Sequence, residues 1–249
     1  MRRFGLIGYP LTHSFSAGYF AGKFENEQIN EAVYENFSIE SIDLFPGLLK
    51  HHPDLAGLNV TIPYKEKVIP FLDELNETAR AVGAVNTIKF VKNSNGKVWL
   101  EGYNTDVYGF ETSINPFLTS QHKKALILGT GGASKAIKYI LNKKGIRFIS
   151  ASIEELKENE IRYEDINKDL ISSHLLIINA TPLGTYPKVD TCPSIPYEYI
   201  TANHILYDLV YNPEETLFLK KGKAQGAKTT NGLKMLHLQA EKAWEIWNS

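Results

Sequence analysis

A single cysteine, Cys192, stands in 249 residues, so the chain can form no internal disulfide. Pro193 follows it, which places the thiol in irregular chain rather than at a metal-ligand spacing, and no metal is expected. Net charge is also nearly absent: 27 Lys and Arg against 28 Asp and Glu leave −1, giving no broad field to draw in nucleic acid. The basic clusters Lys123-Lys124 and Lys143-Lys144 are two residues each and read as a solvated strand entrance and a helix end. No stretch is long and apolar enough to span a bilayer. The opening Met1-Arg2-Arg3 runs straight into Phe4-Gly5-Leu6-Ile7-Gly8, too short for a signal peptide and better read as a first strand. The expectation is a cytoplasmic protein with a small-molecule partner, and neither a nucleic acid nor a membrane.

What is present is an α/β pattern long enough for two domains, since domains commonly run to about 100–150 residues. Short apolar runs at Phe4-Ile7, Ala32-Phe37, Leu58-Thr61 and Thr87-Val91 alternate with helix-like stretches near Ser16-Glu27 and Ser41-Lys50. The cluster Asn93-Ser94-Asn95-Gly96 suits a hairpin between Ile88-Val91 and Val98-Leu100, expected at a sheet edge. Thr105 is placed to cap a helix through Phe110, with Asp106 at its positive end, and the domain crossing is expected on this helix. Beyond it, Lys124-Leu128, Gly132-Lys143 and Ile146-Ser150 make a βαβ unit, with Gly145 ending the helix. Strands at Leu175-Asn179 and Ile205-Asp208 and a helix at Thr216-Ala224 continue a parallel sheet. The last helix carries Leu233, Leu236, Ala240, Trp244 and Trp247 on one face. With the second sheet complete by Thr229, that helix is expected to return to the first domain. The expected division is 1–104 plus 232–249, and 105–231.

Several segments carry chemistry. In Leu128-Gly129-Thr130-Gly131-Gly132-Ala133-Ser134-Lys135 a strand ends in glycines that let a pyrophosphate approach the next helix's amides. Ser134 stands at the third fingerprint position, and an ordinary glycine-rich turn remains the alternative. At the end of the following strand, an acid for a ribose hydroxyl or an Arg for a ribose phosphate is the usual partner. Phe148-Ile149-Ser150-Ala151-Ser152 has neither, although Ser150 and Ser152 suit a phosphate and Lys157 lies nearby.

Lys65 follows Pro63 just after the run Leu58-Val60, where a rigid turn can aim an ammonium group out of a strand end. Taken alone it reads as a surface lysine, and Asp106 as a helix-terminus charge. Brought to one substrate ring, each favours the other's ionised form, and the pair can exchange protons with a hydroxyl or carbonyl. Ser14 and Ser16, in His13-Ser14-Phe15-Ser16, suit either one anionic group or helix capping. Asn59, Thr61, Asn86 and Gln239 supply neutral donors and acceptors, for a polyhydroxylated substrate or for buried backbone.

The ordered set resembles the shikimate dehydrogenase family. It comprises His13-Ser14-Phe15-Ser16, Asn59-Val60-Thr61-Ile62-Pro63-Tyr64-Lys65, Gly83-Ala84-Val85-Asn86-Thr87, Gly102-Tyr103-Asn104-Thr105-Asp106 and Gly129-Thr130-Gly131-Gly132-Ala133-Ser134-Lys135-Ala136. Further along, Asn179-Ala180-Thr181-Pro182-Leu183-Gly184, Asp208-Leu209-Val210-Tyr211-Asn212-Pro213 and Asn231-Gly232-Leu233-Lys234-Met235-Leu236 with Gln239 complete it. The resemblance implies an N-terminal α/β substrate domain and a Rossmann-like doubly wound nucleotide domain. It implies NADP-linked reduction of 3-dehydroshikimate to shikimate, with Lys65 and Asp106 as the catalytic pair. Ser14 and Ser16 would hold the ring carboxylate, and Asn59, Thr61, Asn86, Asp106 and Gln239 the ring hydroxyls. Tyr211 and Gly232 would lie near substrate and nicotinamide, and the remaining cofactor contacts would be Gly129, Thr130, Gly131, Gly132, Ala133, Ser150, Ser152, Thr181 and Leu209. The chain departs from the family pattern twice: Ala17 stands in place of Pro, and Ser150-Ala151-Ser152 in place of Asn-Arg-Thr.

Two other readings are carried: a quinate or quinate/shikimate dehydrogenase using NAD, and a non-catalytic shikimate or nucleotide sensor. Oligomeric state is open between monomer and homodimer.

Overall fold

The computed structural model describes residues 1–11, 15–92 and 97–249. By its internal contacts the chain divides into Met1–Thr105 with Ala240–Ser249, and Asp106–Gln239.

In the first unit, β1 (Arg2–Gly8), α1 (Phe15–Asn26), β2 (Ala32–Ser38), α2 (Phe45–His51), β3 (Leu55–Val60), β4 (Glu74–Leu75), α3 (Glu77–Val82), β5 (Thr87–Lys92) and β6 (Val98–Tyr103) follow one another. They build a mixed sheet in the order β2-β1-β3-β5-β6-β4. The β1 strand runs parallel to both β2 and β3, and β5 antiparallel to both β3 and β6. Because side chains alternate along a strand, β1 feeds two cores. Ile7 joins Leu58, Val60, Tyr64, Ile88 and Leu100, whereas Phe4 joins Phe20, Phe24, Ala240, Ala243 and Trp247.

The second unit takes up α4 (Thr105–Ile114) from Asp106 onward, then β7 (Lys124–Leu128), α5 (Gly132–Lys143), β8 (Arg147–Ala151) and β9 (Glu160–Ile161). After these come α6 (Lys168–Ser173), β10 (Leu176–Asn179), β11 (Ile205–Asp208), α7 (Leu217–Ala224), β12 (Lys228–Thr230) and α8 (Leu233–Asn248), whose last turns belong to the first unit. The sheet is parallel throughout, in the order β12-β11-β10-β7-β8-β9. This is the doubly wound order, and its direction reverses between β7 and β10, where such sheets bind ligands at the strands' carboxyl ends. Ala125 to Leu128 are wholly buried, as a strand covered on both faces requires. Ala136, Ile137, Ile140 and Leu141 form the buried stripe of α5, and Gly145 follows its end at φ +66°.

Three expectations change. The β5–β6 hairpin lies inside the sheet, because the two-residue β4 pairs with β6 and takes the edge; its turn, Asn93-Ser94-Asn95-Gly96, lies outside the described residues. The helix from Thr105 continues past Phe110 to Ile114. On α8 the buried side chains are Met235, Gln239, Ala240, Ala243 and Trp247, while Leu233 is exposed.

The return of α8 is fixed by its tryptophan. Trp247 stacks on Phe4 with centroids 4.9 Å apart, and its Nε1 donates to the Ile88 carbonyl at 3.0 Å. Gly57 makes room for it, since a Cβ there would lie 2.4 Å from the indole. Trp247→Phe removes the donor and part of the ring, and is expected to lower stability by about 1–2 kcal/mol in urea unfolding.

Candidate active site

In the first unit, the end of β3 and the turn after it form a cross-braced frame. Tyr64 is buried, its hydroxyl donates to the Ile39 carbonyl at 2.5 Å, and its amide donates to the Thr61 carbonyl at 2.9 Å. Thr61 is itself held by its amide to the Ile7 carbonyl at 2.9 Å. Lys65 follows, half-buried, with its carbonyl accepting from the Val85 amide at 2.7 Å. A flexible side chain is thereby carried on a backbone fixed at both ends.

Val85 leads into Asn86, the hub of the frame. Its Oδ1 accepts from the Thr105 amide at 2.7 Å and from the Thr87 hydroxyl at 3.1 Å, and its Nδ2 donates to Thr105 Oγ1 at 3.0 Å. Asn59 is nearly as buried: its Oδ1 accepts from the Tyr34 hydroxyl at 2.8 Å, and its Nδ2 donates to the Asn86 carbonyl and to Thr87 Oγ1, each at 3.3 Å. Burial pushes the Tyr34 hydroxyl up, and its hydrogen bond with Ser16 pulls it back. Ser16 thus joins Tyr34 and Asn59 in one polar string. Ser14 lies outside the described residues. Asn104 ties the next strand end in, donating to the Ala84 carbonyl at 2.9 Å.

The second unit opens with Asp106, buried in the first turn of α4. Gly109, one turn on and so on the same face, has α8 against it: a Cβ there would lie 2.6 Å from the Met235 carbonyl and 3.3 Å from the Gln239 Cβ. Helix contact at Gly109 therefore sets Gln239 beside the face that carries Asp106. The Gln239 amide also donates to the Leu236 carbonyl at 3.0 Å.

At the carboxyl end of β7, Gly129 adopts φ +98° and its amide donates to the Ala151 carbonyl at 2.9 Å. A Cβ at Gly129 would press on Thr181, whereas one at Gly131 would meet nothing within 4 Å. The space over Gly131, at the amino end of the twelve-residue α5, is open, which is what a pyrophosphate needs to reach the helix amides. Gly132 and Ala133 form the first turn. Ser134, the departure from the fingerprint, turns inward and donates to the Gly131 carbonyl at 2.7 Å, so it bonds the turn instead of blocking it.

Thr181 sits across the reversal point, with its amide and hydroxyl both on Asn179 Oδ1, at 3.0 and 2.7 Å. Asn179 in turn donates to Asp208 Oδ1 at 2.9 Å, and Asp208 also accepts from the Val210 amide and the Thr216 hydroxyl. Desolvation pushes the Asp208 carboxyl up to about 6, against those three donors. Gly232 lies under Leu209, whose carbonyl oxygen would be 2.1 Å from a Cβ. Tyr211 is half-buried, and that burial raises its hydroxyl.

The two serines at the end of β8 differ. Ser152 lies 3.4 Å from the Thr130 hydroxyl in the glycine turn and accepts from the Glu154 amide at 3.1 Å. Ser150 is fully buried, and its Oγ has no hydrogen-bond partner among the described residues. No cation stands in 150–152, so the glycine turn fits a dinucleotide while this segment alone does not fit a ribose phosphate.

The sequence did not single out Tyr34 or Thr87 as the groups that orient Asn59 and Asn86, nor Asn104 as the brace on the Ala84 carbonyl, although Thr87 and Asn104 fall in two of the family segments. Among the described residues, no three His, Cys, Asp or Glu side chains converge as a metal site, and no helix is long and apolar enough to cross a membrane.

The family model for the shikimate dehydrogenase substrate binding domain matches residues 6–88. A curated shikimate dehydrogenase (NADP(+)) of Clostridium beijerinckii is 40% identical over 262 residues, covering 99% of this chain and 92% of the relative. The shikimate 5-dehydrogenase of Thermus thermophilus, solved with NADP(H) and shikimate, superposes with a TM-score of 0.82 at 30% identity, covering 99% and 93% of the two chains. A quinate dehydrogenase of Corynebacterium glutamicum, solved with NAD, superposes at 0.85 with 27% identity and the same coverage.

Proposed function

The chain belongs to the shikimate dehydrogenase family, and on that premise we propose that it catalyses the reversible NADPH-dependent reduction of 3-dehydroshikimate to shikimate. The reaction serves chorismate and aromatic amino acid biosynthesis, in the cytoplasm, with the protein a monomer or homodimer. Residues 1–104 with 232–249 bind substrate, and 105–231 bind the coenzyme.

The observation that carries the reading is the short bonded path from the Lys65 backbone to Thr105, the residue before Asp106. Lys65 bonds Val85, Val85 is joined to Asn86, Asn86 bonds the Thr105 amide, and Thr105 is joined to Asp106. A Lys65 backbone held in this way suits a residue that must deliver a proton from a fixed position. NADPH, when bound at the glycine turn, would supply the hydride for the ketone carbon. Lys65 gives its proton to the developing alkoxide, and Asp106 orients the ammonium and the adjacent hydroxyl. Ser14 and Ser16 hold the ring carboxylate, and Asn59, Thr61, Asn86 and Gln239 hold ring hydroxyls. Tyr211 and Gly232 flank substrate and nicotinamide.

A second reading, quinate oxidation with NAD, draws support from the missing arginine at 150–152 and from the likeness to the quinate dehydrogenase. Initial rates with shikimate and with quinate, each with NADP and with NAD, separate the two. Shikimate with NADP is expected to dominate; dominance of quinate with NAD reverses the ranking. Shikimate binding without any nicotinamide reduction would indicate a sensor.

A further inference from the structure

We infer that Arg162 is the residue that recognises the ribose 2′-phosphate of NADP, from the strand beside the one where an arginine is usual. This rests on the NADP reading above, and concerns how this chain achieves it.

The short β9 runs parallel to β8, with Ala151 opposite Ile161, and the Ser152 amide donates to the Ile161 carbonyl at 2.9 Å. Arg162 therefore leaves β9 in step with Ser152, at the same carboxyl edge of the sheet. In a doubly wound sheet the adenosine ribose lies beyond the end of the second strand, here β8. Arg162 emerges one strand outward from that point.

Its side chain turns back toward β8. The Nη1 donates to the Glu154 carbonyl at 2.5 Å, and the backbone amide is fixed by Asp165 Oδ2 at 3.1 Å. Glu154 in turn bonds Ser152, whose hydroxyl faces Thr130 of the glycine turn. The guanidinium is thus docked on the loop that leaves β8, whose Ser152 faces the glycine turn. A guanidinium carries five N–H donors in a planar fork, so one bond to a carbonyl leaves a geometry suited to phosphate.

The other candidates are weaker. Ser150 is sealed from the surface and carries no charge. Lys157 is exposed, with its amide on Glu160 Oε2 at 3.2 Å, and a lysine offers a point charge without the fork. Glu154 and Glu155 place exposed carboxylates on the same loop, which tempers the preference for a phosphate without removing the fork.

Isothermal titration of the full-length protein with NADP+, with NAD+ and with 2′,5′-ADP tests this. Arg162→Gln is expected to weaken NADP+ and 2′,5′-ADP by about tenfold or more, and NAD+ by no more than about twofold, as loss of charge-assisted phosphate bonds requires. Arg162→Lys should fall between the two, and Lys157→Gln should change little. An unchanged NADP+ to NAD+ affinity ratio in Arg162→Gln overturns the inference while leaving the NADP reading intact. Equal affinities for the two coenzymes in the unaltered protein would overturn the NADP reading instead. Should Arg162→Gln also lose NAD+ through collapse of the Glu154 loop, Arg162→Lys decides: a ratio reduced severalfold supports the assignment, and an unchanged ratio overturns it.

Discussion

Replacing Lys65 with Ala is expected to lower turnover with shikimate and NADP by about 10²–10⁴-fold, the usual worth of a positioned proton donor. The Michaelis constant for shikimate should move by only about threefold, because an interaction used mainly in the transition state is lost from kcat rather than from binding. Lys65→Arg should not restore the rate. A guanidinium keeps its proton at any working pH, so it can hold charge near the alkoxide but cannot deliver the proton. The frame predicts that the loss is local: the Lys65 backbone is held through Val85, and Tyr64 through Ile39, neither of which needs the ammonium. Thermal unfolding of Lys65→Ala should therefore lie close to that of the parent. Steady-state rates of purified protein decide the matter, and near-normal turnover in Lys65→Ala would remove this residue from the mechanism.

Where the sequence was legible, one physical signal dominated locally. The strand-turn-helix from Lys124 to Lys143 reads correctly because a continuous apolar run, a glycine turn and an amphipathic stripe agree with one another. The elements it did not disclose are short: β4, β9 and β12 have two or three residues each, and partner strands rather than intrinsic preference decide them. The α3 helix did leave a signal. Asn76 caps it by accepting from the Ala79 amide at 2.8 Å, and Gly83 ends it at φ +68°, so Asn-Glu-Thr-Ala-Arg-Ala-Val-Gly bears both terminators. On α8 a single apolar face was the wrong template, because the helix changes partners along its length. Met235 and Gln239 meet Gly109, while Ala240, Ala243 and Trp247 enter the aromatic cluster. The candidate site was legible as residue types in order, but the roles of Tyr34 and Thr87 depend on partners such as Asn59, which no local pattern encodes.

Asp208→Ala is expected to destabilise the protein by about 3–5 kcal/mol at pH 5, a large loss for a residue with no assigned part in the chemistry. The carboxylate gathers Asn179, the Val210 amide and Thr216 in a fully buried cluster, and an Ala leaves all three donors facing apolar surroundings. Through Asn179 the damage should reach Thr181 at the reversal point of the sheet, so coenzyme affinity should fall as well. The effect carries its own pH signature. Desolvation raises the folded-state value from 3.8 to about 6, so between those values the folded protein holds a proton that the unfolded chain has released. Stability from this group is complete below the unfolded value and declines as pH rises through the folded one. The full decline is about 3 kcal/mol, at roughly 1.4 kcal/mol for each pH unit between the two values, and about half of it remains above pH 5. The cost of Asp208→Ala should therefore shrink by about 1–1.5 kcal/mol between pH 5 and pH 8. Taking the difference between parent and variant cancels the other titrating groups, so urea unfolding of both proteins at the two pH values isolates Asp208. A difference that grows with pH would mean that the three donors outweigh burial, and that the cluster is built around the charged form.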